Sequence, residues 1–234
     1  MNNREKFFLH SPWTWKELIQ LLLLVLVFVP VFIEYLLKDY LATLFQNDLY
    51  SGTLIGLIMS MIFMLGVYVF AIMPNNLSWK EVGLRRFSSS YWKAIIGWTI
   101  VLIVISIAMV VVMEDLLGVG PNSTKTDSLQ SSVTLLNFFI GFISAAIISP
   151  VYEEIFYRGF LYRFIRSKYG IAVGMLSSSF IFMIIHIPTF NTLPVNFVSG
   201  LIFAWTYEKS GSVFPAMIIH GLFNGIAVIV TVLG

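Results

Sequence analysis

Seven apolar stretches dominate the chain, at roughly 18–37, 52–74, 93–113, 133–167, 171–188, 192–208 and 212–233. About 20 apolar residues in a helix cover the hydrocarbon core of a bilayer. Inside lipid, the backbone groups of each helix must be satisfied within the segment itself. The runs therefore predict an all-α protein, a polytopic transmembrane helical bundle of about seven spans. Composition agrees: 58% of the 234 residues are hydrophobic and 11% are charged, against about 25% charged in a soluble domain. The first run is too long for the apolar core of a signal peptide, and no small-residue cleavage site follows it, so it reads as a retained span. The fourth is too long for one simple span and carries Pro150, which predicts a kinked helix or a span joined to an interfacial helix. The longest polar loop, about 114–131, holds PNSTKTDS and reads as surface. Three spans fall within 1–130 and four within 131–234.

Charge placement says more than the net value of +2. Of the 14 lysines and arginines, only Lys38 and Lys125 fall on one side of the predicted bundle; the other twelve fall on the opposite side. The positive-inside rule then places the N-terminus in the cytoplasm and the C-terminus outside. The chain has no cysteine, which excludes disulfides, thiolate catalysis and Cys-based zinc or iron–sulfur sites. No basic cluster is interleaved with aromatic residues, so nothing supports nucleic-acid binding.

Against this apolar background a few polar residues stand out. Glu153 and Glu154 are adjacent, Arg158 follows, and His186, His220 and Asn224 lie in later apolar runs. Ionisable groups at membrane depth are costly and usually face a functional interior. Glu154 and Arg158 are spaced i, i+4 and share a helix face, so an ion pair is expected between them. Glu153 points about 100° away and is left as a candidate general base acting on water. Gly170 reads as a helix terminator. Glu153 lies 15 residues before Lys168, and His186 lies 15 residues after Ile171. Both are then about 22 Å from the turn of an antiparallel hairpin and can face each other. His220 and Asn224, 8 and 12 residues past Ser212, rise from the same side to about 12 and 18 Å. They can jointly donate hydrogen bonds to an oxyanion. His186 can orient the water, share its proton or bind a metal. The plainer alternatives are an interfacial charge cluster that snorkels to the headgroups and helix–helix hydrogen bonding by the histidines and Asn224. Phe182 reads as packing.

Three ordered motifs now carry a resemblance. EEIFYR (Glu153 to Arg158) matches EExxxR, FMIIH (Phe182 to His186) matches FxxxH, and HGLFN (His220 to Asn224) matches HxxxN. Residues 134–230 resemble the CPBP family: CAAX proteases and bacteriocin-processing proteins, also called the Abi family, of intramembrane endopeptidases. The resemblance implies a site in a cavity within the bilayer and hydrolysis of a peptide bond. By motif position it implies that Glu153 and His186 activate water, that Glu154 pairs with Arg158, and that His220 with Asn224 forms the oxyanion hole. It leaves open a metalloprotease or a glutamate-dependent enzyme. No HExxH is present, and zinc would have to draw on Glu153 or Glu154, His186 and His220; a metal-free site without any cofactor is the expectation. The expected substrate is a membrane-bound or hydrophobic peptide, such as a bacteriocin, pheromone or CaaX-like precursor, in the plasma membrane of a bacterium. Two rival classes are a non-catalytic scaffold for a sensor kinase or secretion system and a proton-coupled transporter. The latter would be favoured by inverted repeats, which the sequence lacks.

Overall fold

The computed structural model describes residues 3–117, 134–187 and 189–233. Most of the expected polar loop, Lys125 included, lies outside the described residues. A short helix α1 (Asn3–Leu9) precedes a long run, α2 (Trp15–Phe45), and its antiparallel neighbour α3 (Asp48–Asn75). Then come α4 (Trp92–Leu117), α5 over 135–169, α6 over 171–184, α7 (Leu193–Ser210) and α8 (Phe214–Leu233). The chain is a helical membrane bundle. Its outer surface is apolar at helical spacing: on α4, Ile96, Ile100, Val104 and Ile107 are all exposed, as a lipid-facing stripe requires.

Five runs are long and apolar enough to cross a membrane: Trp15–Phe45, Asp48–Asn75, Ser89–Met113, Leu135–Ile184 and Phe214–Leu233. The expected count of about seven differs for two physical reasons. The 50-residue run Leu135–Ile184 is broken at Gly170, whose φ of 85° and ψ of 176° are non-helical, and glycine alone adopts that region freely. It is therefore two helices, α5 and α6, folded into a hairpin. Its register shows in the Tyr157 and Phe182 rings, which meet edge-on with centroids 5.1 Å apart. The other difference is α7, which is only 18 residues long and ends in Glu208 and Lys209.

Capping and backbone chemistry set the helix boundaries. Thr14 and Glu17 form a capping box at the start of α2, which satisfies two otherwise orphaned N–H groups. Asn47 and Thr134 cap α3 and α5 through their side-chain oxygens. Pro30 interrupts α2, where the turns widen to the π type over Leu24–Leu37; proline supplies no N–H, so the regular ladder cannot continue through it.

The basic end of the bundle is tied together by arginines. Arg163 donates to the carbonyls of Phe7 and His10 and pairs with Glu81 at 2.8 Å. Arg4 donates to the Lys209 carbonyl, and the Phe7 ring lies 3.7 Å from both the Arg85 and the Arg163 guanidinium carbons. Arg166 pairs with Glu208, which also accepts from the Tyr162 hydroxyl. Arg163 and Arg166 are thus buried in ion pairs. The first residues do more than precede a span: Phe8 is fully buried between Tyr162 and Tyr207.

Candidate active site inside the bundle

The site starts from α5. Glu154 and Arg158 lie one turn apart and form an ion pair of 2.9 Å in which both side chains are fully buried. The guanidinium also donates to the Gly200 carbonyl of α7 at 3.1 Å. Its central carbon lies 4.6 Å from the Phe182 ring centre and 5.1 Å from that of Phe203. Removal of two charges from water is tolerable only with such close pairing and further hydrogen bonds.

His220 arrives from α8 and completes a chain of contacts. Its Nδ1 lies 2.9 Å from Glu154 Oε1. A carboxylate paired with arginine only accepts, so Nδ1 carries the proton, and when the ring is neutral Nε2 is the acceptor. The ring is clamped by Phe203, stacked at 4.7 Å, and by Phe182, perpendicular at 5.9 Å. This clamp aims Nε2 at Glu153, whose Oε2 is 3.9 Å away. That distance is too long for a direct hydrogen bond and is the span across which a water bridges.

The aim of His220 depends on how α8 sits against α5. Turns at Ser144–Ile148 are of the wide π type and run into Pro150. In that register an N–H at position 150 would reach the Ala145 carbonyl, but proline has none. Asn224 Nδ2 donates to that carbonyl instead, at 3.0 Å. One turn earlier, Gly221 packs so tightly that an added Cβ would lie 2.4 Å from the Ala146 carbonyl oxygen.

The expected site residues are thus distributed as follows. Glu154, Arg158, His220 and Glu153 form one connected group. His186 lies in the turn just after α6, half-buried, with Nδ1 2.7 Å from the Phe182 carbonyl and its ring 4.8 Å from the Phe182 ring. The hairpin register that pairs Tyr157 with Phe182 carries Glu153 and His186 to one level. His220 and Asn224, expected to act together on an oxyanion, both hold other partners: the first binds Glu154 and the second a backbone carbonyl. One N–H of the Asn224 amide remains beyond that bond.

Sequence reasoning passed over two groups. Glu34 on α2 lines a cleft with Pro30, Phe63 and Ile185. A carboxyl inside the first apolar run was the available signal. Tyr157, between the two halves of the EExxxR motif, is fully buried. Eight buried side-chain atoms have no hydrogen-bond partner among the described residues, and four of them, Glu153 Oε2, Glu154 Oε2, Tyr157 OH and Arg158 Nε, fall within 153–158. Such atoms mark where water or a ligand is needed.

No group of three His, Asp or Glu side chains among the described residues is arranged to hold a metal ion. Glu154 and His220 Nδ1 are already committed to Arg158 and to each other, so a zinc ion would have to draw on Glu153, His220 Nε2 and His186.

A buried carboxylate–histidine group enclosed by membrane helices defines a polytopic protein with a polar site at its centre. Residues 135–226 match the family model described as type II CAAX prenyl endopeptidase Rce1-like. A similar protein is the membrane-embedded CAAX protease MroQ of Staphylococcus aureus (strain USA300), 30% identical over an alignment of 144 residues that covers 58% of this chain and 56% of that protein. The chain thus spans little more than half the length of that relative. No solved structure matches. Over residues 135–226 the chain is thus similar to type II CAAX prenyl endopeptidases, and both comparisons support the resemblance to the CPBP family.

Proposed function

We propose that the protein is an intramembrane endopeptidase that hydrolyses a peptide bond of a hydrophobic or membrane-bound polypeptide, with Glu153 as the base. The observation that carries this reading is the uncommitted Glu153 Oε2 held 3.9 Å from His220 Nε2. Both atoms are acceptors, so a water between them donates one proton to each and turns its lone pairs outward. Glu153 takes a proton as the water oxygen attacks the scissile carbonyl carbon. The remaining N–H of Asn224 donates to the oxyanion that forms. Glu153 then passes the proton to the leaving nitrogen as the C–N bond breaks, and the products are an acid and an amine. Glu154 and Arg158 act through His220 by fixing its tautomer and direction. His186, whose Nδ1 donates to the Phe182 carbonyl, stands at the level of Glu153 and helps to orient the water. The protease name of the similar protein and the family match support the reading. On this reading 1–130 supply scaffold helices and 131–234 the catalytic core.

The test is hydrolysis in heavy-oxygen water. Purified protein in liposomes, incubated with a library of hydrophobic peptides, is expected to generate new C-termini that carry the label. A chelator is expected to leave their yield unchanged, as metal-free catalysis requires. Labelled termini no more abundant than in protein-free liposomes would overturn the reading, and chelator loss restored by zinc would overturn its metal-free form.

The bacterial plasma membrane is the proposed location, with the N-terminus cytoplasmic. Reporter fusions at residues near 85 and 168 are expected to report cytoplasm, and a fusion after Gly234 the outside. A cytoplasmic C-terminus would contradict this orientation.

A further inference from the structure

We propose that the Tyr157 hydroxyl is a third hydrogen-bonding partner of the attacking water and fixes its position beside Glu153. This rests on the reading of Glu153 as the base. Tyr157 lies one turn beyond Glu153 on α5, as Arg158 lies one turn beyond Glu154. The side chain is fully buried and its hydroxyl has no partner among the described residues. The ring is held edge-on by Phe156 at 4.8 Å and Phe182 at 5.1 Å, so it has one orientation.

A buried hydroxyl without a partner destabilises a fold, whereas phenylalanine fills the same space without that cost. The neighbourhood is aromatic: Phe156, Phe160 and Phe164 on the same helix are fully buried without a hydroxyl. Packing alone therefore gives no reason for oxygen at position 157. The orphaned Glu153 Oε2 lies in the same six-residue cluster, and one buried water typically makes about three hydrogen bonds. Glu153, His220 and Tyr157 supply that number.

The experiment compares full-length wild type, Tyr157→Phe and Glu153→Gln in liposomes, with one peptide drawn from the wild-type labelled products. Thermal unfolding is read alongside turnover per folded molecule. Tyr157→Phe is expected to unfold at the same temperature or higher, with kcat reduced about 10- to 100-fold, the worth of one hydrogen bond to a reacting group, and KM unchanged. Wild-type kcat in the folded variant would overturn the proposal while leaving the Glu153 reading in place. A lower unfolding temperature with wild-type kcat per folded molecule would likewise overturn it, since the hydroxyl would then be structural. Wild-type protein that labels no peptide would overturn both.

Discussion

Replacement of Glu153 by Gln is expected to lower cleavage at least about 100-fold while the protein folds to its usual level. The amide keeps the shape of the carboxylate but cannot take a proton from water. The position tolerates the change because Glu153 Oε2 has no hydrogen-bond partner among the described residues and lies 3.9 Å from His220 Nε2. No ion pair breaks. Turnover per folded molecule checks the effect, and near-normal proteolysis by this variant would remove Glu153 from the role of base.

Glu154→Gln is expected to fail in a different way. Its carboxylate pairs with Arg158 at 2.9 Å with both side chains fully buried, and it also accepts from His220. Loss of the negative charge leaves the buried guanidinium without its counter-ion, held only by neutral acceptors, the amide oxygen and the Gly200 carbonyl. Breaking a buried pair from one side typically costs about 3–5 kcal/mol, a large part of the stability of a typical domain. Yield of folded protein is expected to fall, and the surviving molecules are expected to turn over slowly because a neutral amide, which can also turn its NH2 toward the ring, replaces the carboxylate that anchors His220. Expression and thermal unfolding measured beside Glu153→Gln check the contrast. Equal stability of the two variants would contradict the structural role of the pair.

The two predictions differ because adjacent residues face different neighbours, and that much was legible in the sequence. The i, i+4 spacing of Glu154 and Arg158 gave the pair, and Gly170 gave the hairpin that brings Glu153 and His186 to one level. Spacing along one helix did not give the partners across helices. His220 and Asn224 share a face of α8, but their partners come from α5: Glu154 for one, the Ala145 carbonyl for the other. The second pairing exists because Pro150 withholds an N–H far away in sequence, which is a backbone effect and not a pattern of side chains. Glu34 escaped notice for a similar reason. It lies on the first span, and only the packing of α2 against Phe63 and Ile185 brings it near the site. The short α7 read as a span because the run 192–208 is apolar, yet Glu208, near its polar end, binds Arg166 and Tyr162.

The central claim is that Glu153 drives hydrolysis of a polypeptide within the membrane. Its most direct test compares the membrane peptides of cells that make equal amounts of wild-type protein and Glu153→Gln. The expected result is at least one hydrophobic precursor that accumulates uncut in the variant while its matched fragments disappear. Indistinguishable peptide profiles at equal protein level would contradict the claim.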